Sequence, residues 1–135
     1  MNKRQVAEFL ERYFSNFLIH NRFLAELLSL ISGTGFEKSF YKILQKQLFI
    51  LSSLGVLATE MKEFELIGDG IFSMHITGKD FNIRILYCFM PNSQPAFLLP
   101  FFERQGKGRT DYSSYLPVAQ TRKLEMEAEY NDRQV

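Results

Sequence analysis

The sequence predicts an α+β fold in which N-terminal helices pack on a small antiparallel β-sheet and a C-terminal helix closes the chain. Three observations carry that expectation. Apolar residues recur at helical spacing from Val6 to Leu54. Between Gly70 and Arg104 the period changes to strict alternation, broken by short turn clusters. After a polar, glycine-containing stretch, Pro117 opens a last charged, amphipathic segment. With 135 residues and 46% hydrophobic content, the chain is long enough for one domain, residues 1–135, with a proper core.

The first helix is expected over residues 3–18, where Val6, Phe9, Leu10, Tyr13, Phe14 and Phe17 share a face. A second begins near Asn21, an N-cap candidate, turns Leu24, Leu27, Leu28 and Ile31 inward, and stops at Ser32-Gly33-Thr34-Gly35. A third spans residues 36–54 and ends at Gly55, so the helical part covers 3–54. A connector over 56–62 leads to Phe64-Glu65-Leu66-Ile67 and the turn Gly68-Asp69-Gly70, the start of a sheet expected over 64–104. Thr77-Gly78-Lys79-Asp80 then reads as a two-residue hairpin turn with Gly78 at positive φ, a register that pairs Ile76 with Phe81. Phe72, Met74 and Ile76 fall on one side with Phe81, Ile83 and Ile85, whereas Ser73 and His75 fall on the other with Asn82 and Arg84. Pro91-Asn92-Ser93-Gln94-Pro95 separates this hairpin from a strand over 96–102, and the last helix is expected over 117–130.

Composition limits the chemistry. The net charge of +1 sets up no global field for nucleic acid, so such a function needs a local cluster of cations. The single cysteine, Cys88, excludes an internal disulfide and reads as a buried strand residue; with two histidines the chain has too few soft ligands for a structural zinc site. The start is charged and amphipathic, and no apolar run reaches about 18 residues, so a soluble cytoplasmic protein is expected. Phosphate-loop, dinucleotide, serine-hydrolase and HExxH patterns are absent, and no cofactor or metal is expected.

Arg84 is the first candidate, because a guanidinium in the middle of an apolar strand needs either a carboxylate, Glu65 or Asp69, or an anion to clamp. Arg104, Lys107 and Arg109 form the densest basic cluster, in a glycine-containing loop whose backbone can approach a phosphate or simply be solvated. His75 can carry protons near neutrality or serve as a surface hydrogen-bonder. Asn82 lies beside them. Tyr112 and Tyr115 can stack on unpaired bases, at about 1–3 kcal/mol per base, or pack the last helix. Lys38, Lys42 and Lys46 form a helical stripe that suits either an RNA backbone or plain solvent. His20 stands alone near a helix boundary with no chemistry assigned to it.

The strings Asp69-Gly70-Ile71-Phe72-Ser73-Met74-His75-Ile76 and Asp80-Phe81-Asn82-Ile83-Arg84-Ile85-Leu86-Tyr87-Cys88-Phe89 resemble the central hairpin of RelE/HigB-type toxins of type II toxin-antitoxin systems, especially the phage-derived branch. Gly70, Phe72, Arg84, Ile85, Tyr87 and Phe89 match that pattern, and Leu98 to Arg104 is similar to the family's next strand. The likeness covers about residues 64–130. The chain departs from it where His75 stands in place of an arginine, Arg104 in place of a lysine and Gln105 in place of a second lysine, and where helices open the chain ahead of any strand. The resemblance implies a RelE-like fold and a ribosome-dependent mRNA endonuclease that works by 2′-hydroxyl attack, needs no metal, and is held in check by a cognate antitoxin of helix-turn-helix type. It also implies catalytic roles for His75, Arg84 and Arg104, and RNA contacts from Lys38, Lys42, Lys46, Asn82, Lys107, Arg109, Tyr112 and Tyr115. A toxin relative of ParE type, or a degenerate binding protein acting on another protein, is the alternative that the near-neutral charge favours.

Overall fold

Asn2 starts the first helix, α1 (Lys3–Phe14), with a reciprocal cap: the Asn2 Oδ1 accepts from the Gln5 N–H at 2.9 Å, and Gln5 Oε1 accepts from the Asn2 N–H at 3.0 Å. This computed structural model describes residues 1–103 and 110–133. α1 ends at Phe14, short of the expected residue 18, because the chain gains more from the sheet: Leu18–Ile19 forms a strand, β1, and Phe17 packs edge-on against Phe97. α2 (Phe23–Ile31) begins after Asn21, and the expected asparagine cap is not made. His20 does the work instead. Its carbonyl accepts from the Phe23 N–H at 3.0 Å and its Nδ1 from the Arg22 N–H at 3.2 Å, which satisfies two donors of the helix start. α3 (Glu37–Leu54) ends at Gly55, whose φ of +55° lies in the left-handed region, and a 3₁₀ helix (Gly55–Glu60) carries the chain to the sheet.

Four further strands, β2 (Phe64–Gly68), β3 (Ile71–Thr77), β4 (Asn82–Phe89) and β5 (Pro95–Phe102), join β1 in one sheet of order β1-β5-β4-β3-β2. All pairings are antiparallel except β1 with β5, where Leu18 and Ile19 lie parallel to Ala96 and Phe97. The β2–β3 turn is tight: Asp69 and Gly70 take φ of +50° and +75°, the mirror-image turn that follows strand twist. Gly70 suits the turn through its positive φ; a Cβ there would also lie 2.7 Å from Lys123 Nζ, the flexible end of a side chain that can move aside.

The β3–β4 register differs from the expected one by two residues. Thr77 pairs with Asn82, Ile76 with Ile83, and His75 with Arg84 instead of Asn82; Gly78 has no positive φ. The turn is wider because Phe81 leaves the ladder to pack on Phe36 and Phe40, with the Gly78 N–H bonded to the Phe81 carbonyl at 2.9 Å. A slip of two preserves the alternation, so each side chain keeps its expected face.

Both faces of the sheet are covered. On one, Met74, Ile76, Ile83, Ile85, Tyr87 and Phe97 meet α1, α2 and α3. On the other, Ile71, Leu86, Cys88 and Ala96 meet α4 (Leu116–Arg133) through Ala119 and Met126. A bulge between β4 and β5 lets both Leu98 and Leu99 face α4 while Phe97 remains with the helices. Phe97 is the hinge of this arrangement, its ring within 5.1–6.0 Å of the ring centroids of Phe14, Phe17, Phe23 and Tyr87. Phe97→Ala should therefore destabilise the protein by about 3–5 kcal/mol, measured by denaturant unfolding; a loss below about 1 kcal/mol would show that the surrounding rings close the gap.

Candidate functional site

α4 covers only part of its face of the sheet. At the other end the same alternation leaves polar side chains side by side: His75 opposite Arg84, and Glu65 of β2 opposite Ser73 of β3. The segment that leads into α4 crosses this end. Tyr115 lies flat on Phe101 with centroids 3.8 Å apart, and Tyr112 meets Phe101 edge-on at 5.9 Å. Stacking at Phe101 thus delivers the Tyr112 hydroxyl to the polar cluster.

Four groups converge there. His75 Nε2 lies 2.9 Å from Glu65 Oε1, the Tyr112 hydroxyl donates to the same oxygen at 2.7 Å, and its oxygen lies 3.0 Å from Ser73 Oγ. Tyr112 has one proton, which goes to the carboxylate; the buried Ser73 hydroxyl then donates to the phenol oxygen. Burial pushes the Glu65 carboxyl up, but the hydrogen bonds from Tyr112 and His75, with the charge of Arg84, outweigh it and hold its pKa below the ordinary value. Burial also raises Tyr112 to about 12, so it remains a phenol. The His75 side chain is 21% exposed, and burial, reinforced by Arg84, lowers its pKa below 6.5 despite the opposing pull of Glu65. At neutral pH the cluster therefore holds an anionic carboxylate, a neutral imidazole and a neutral phenol.

Arg84 takes neither carboxylate that the sequence offered it. Glu65 is committed to His75 and Tyr112, and Asp69 accepts from Gln120 Nε2 at 2.8 Å. Arg84 Nη1 instead donates to Asn82 Oδ1 and Nη2 to Thr110 Oγ1 at 3.4 Å, while Nε is buried with no acceptor among the described residues. The guanidinium keeps its charge beside neutral partners, which is the condition in which it can clamp an anion.

The structure thus brings together His75, Arg84, Asn82 and Tyr112 of the expected residues. Tyr115 supports from beneath, with one ring face covered by Phe101. Lys38 and Lys42 are exposed on α3, which packs the opposite face; Lys46, also exposed, lines a cleft of about 470 Å³ with Gln47, Lys62, His75 and Thr77. Arg104, Lys107 and Arg109 lie outside the described residues. Glu65, Ser73 and Thr110 were not singled out by sequence as site residues; only the β2–β3 register, with Glu65 opposite Ser73, could have found the first two. His20 is not idle: it is 6% exposed, caps α2, and its Nε2 lies 3.1 Å from Glu125 Oε1, beside the half-buried Arg122–Glu26 pair that ties α4 to α2.

The chain matches no family model, no curated protein and no solved structure. Among the described residues no three His, Cys, Asp or Glu gather to hold a metal ion, and no helix is long and apolar enough to cross a membrane.

The two shifted groups predict the acid limb of stability. The folded imidazole resists a proton that the unfolded one takes up, so stability should fall as pH drops through 6.5 toward the depressed folded value. Glu65, also depressed, contributes stability that is lost at lower pH, as the solution passes from 4.5 down through its folded pKa. Thermal melts of wild type and His75→Gln between pH 8 and 3 should show the upper step shrink in the variant; an unchanged upper step would remove His75 as its source.

Proposed function

We propose that this chain is a toxin of the RelE/HigB type, acting in the cytoplasm as a ribosome-dependent mRNA endonuclease. The observation that carries this reading is the cross-strand pair His75–Arg84: a neutral imidazole beside a guanidinium that has no carboxylate partner among the described residues. A further support comes from topology. The family resemblance implies a strand before the helical hairpin, and β1 stands there, ahead of α2 and α3 and behind the additional helix α1.

On this reading His75 takes the proton of an RNA 2′-hydroxyl as its oxygen forms a bond to the adjacent phosphorus. The bond from phosphorus to the 5′ oxygen breaks, that oxygen takes a proton from Arg104 or from water, and the products are a 2′,3′-cyclic phosphate and a 5′-hydroxyl. The nucleophile belongs to the substrate, so the protein's share is alignment and charge. Arg84 neutralises the non-bridging oxygens, and Arg104 acts on the same phosphate or on the leaving oxygen. Lys38, Lys42, Lys46, Lys107 and Arg109 grip the RNA backbone, with Asn82, Tyr112 and Tyr115 as further RNA contacts. The exposed apolar side chains Phe49, Val56 and Leu57, at and beyond the end of α3, favour a protein partner, for which an antitoxin of helix-turn-helix type is proposed. The same surface, with the net charge of +1, favours the second reading, a toxin that acts on a protein target without cutting RNA.

Induction of the chain without its partner should arrest growth and generate new 5′ ends within translated transcripts. Arrested growth with intact transcripts would select the second reading. Arg84→Ala should abolish cleavage with its circular dichroism unchanged, and Arg84→Lys should not restore it, because an ammonium lacks the bidentate fork. An Arg84→Ala protein that folds and still cuts would sink the nuclease assignment.

A further inference from the structure

Two contacts hold the backbone of His75: its N–H donates to the Glu63 carbonyl at 2.8 Å and its own carbonyl accepts from Gln47 Nε2 at 3.1 Å. With the main chain clamped, the orientation of the imidazole depends on what its nitrogens meet. Nε2 meets Glu65 Oε1, and Nδ1 makes no hydrogen bond to a described residue. Glu65 is held in turn. The Tyr112 phenol donates to the same oxygen, and Ser73, fully buried on the neighbouring strand, holds the phenol. An ionised carboxylate only accepts, so the proton in the Glu65–His75 contact resides on Nε2.

We infer that Glu65 is the positioning residue of this site: it holds His75 in the Nε2–H tautomer and leaves Nδ1 as the atom that accepts the 2′-hydroxyl proton, a role that rests on the nuclease reading above. Tyr112 and Ser73 support Glu65 and do not touch the reacting atoms. The charged or titratable groups that surround the imidazole are Glu65, Glu63, Arg84, Tyr112, Lys46 and Lys62. Of these the two glutamates favour its protonation, and Glu65 is the one that also fixes direction.

Glu65 has a side chain 45% exposed, so its replacement should leave the fold intact. Nitrogen-15 NMR of the labelled protein should show His75 as the Nε2–H tautomer at neutral pH. Glu65→Ala should mix the tautomers, move the imidazole titration to lower pH and slow cleavage on programmed ribosomes by about 10–100-fold, the range typical of partners that orient a histidine. Glu65→Gln, which keeps an acceptor but not the charge, should recover the tautomer and part of the rate while the titration stays low. An Nδ1–H tautomer in the wild type, or a Glu65→Ala protein with unchanged tautomer and titration, overturns the inference. Wild type with the expected tautomer that cuts no RNA would instead sink the nuclease reading alone, because the NMR measurement needs no substrate.

Discussion

The carboxylate of Glu65 is the acceptor on which the polar end of the sheet depends. A surface covered by helices on one side and by α4 with its leading segment on the other leaves little water for His75, Ser73 and Tyr112, and each unpaired polar group there would cost about 1–3 kcal/mol. One oxygen of Glu65 accepts from both His75 and Tyr112, and the phenol oxygen in turn satisfies Ser73. The chain of donors ends on the only group in it that carries no proton. Remove the acceptor and the chain loses its terminus, so one edge-strand residue fixes where the donors of the cluster point.

Packing brings the network together and holds it. Tyr112 arrives because Tyr115 stacks on Phe101, and Phe101 faces that way because the bulge in β5 lets Leu98 and Leu99 both face α4 before the alternation resumes. The same bulge keeps Phe97 among the rings of Phe14, Phe17 and Phe23 on the opposite face. A single extra residue in one strand thus serves both layers at once. In the first half of α4, Arg122 bonds Glu26 through two nitrogens at 2.5 and 2.7 Å and the Leu98 carbonyl at 2.9 Å, anchoring the helix where the bulge leaves a carbonyl to satisfy.

Sequence periodicity was sufficient for the helices, the strands after residue 63 and the faces of the hairpin, since these depend on spacing alone. It failed where tertiary contacts overrode local signals. Leu18 reads as the last residue of a helix until Ala96 and Phe97 are there to pair Leu18–Ile19 as a strand, and Asn21 reads as a cap until the His20 ring accepts from the Arg22 N–H. The β3–β4 turn read short because Gly78 suggested a two-residue loop, whereas the aromatic pocket of Phe36 and Phe40 claimed Phe81. Arg84 and His75 were legible as odd residues in an apolar hairpin. Glu65 was legible only as a possible ion-pair partner, and it proved to be the partner of the other candidate; nothing local distinguishes a carboxylate that neutralises an arginine from one that orients a histidine.

His75 and Arg84 on one cross-strand pair cannot both be cationic without repulsion, and Arg84 remains charged across the physiological range. Burial, reinforced by that repulsion, therefore keeps the histidine neutral. In the proposed reaction this has a consequence for timing. A phosphate bound to Arg84 would cancel that charge's share of the depression, burial being the larger cause, so the imidazole's affinity for a proton would rise when substrate is in place. An arginine at this position, as in the family the hairpin resembles, could offer a second charge contact but could not take a proton. With Glu65 behind it, His75 exchanges a fixed charge for a base whose strength increases on binding, and that exchange suits a site in which the rest of the chain supplies little net positive field.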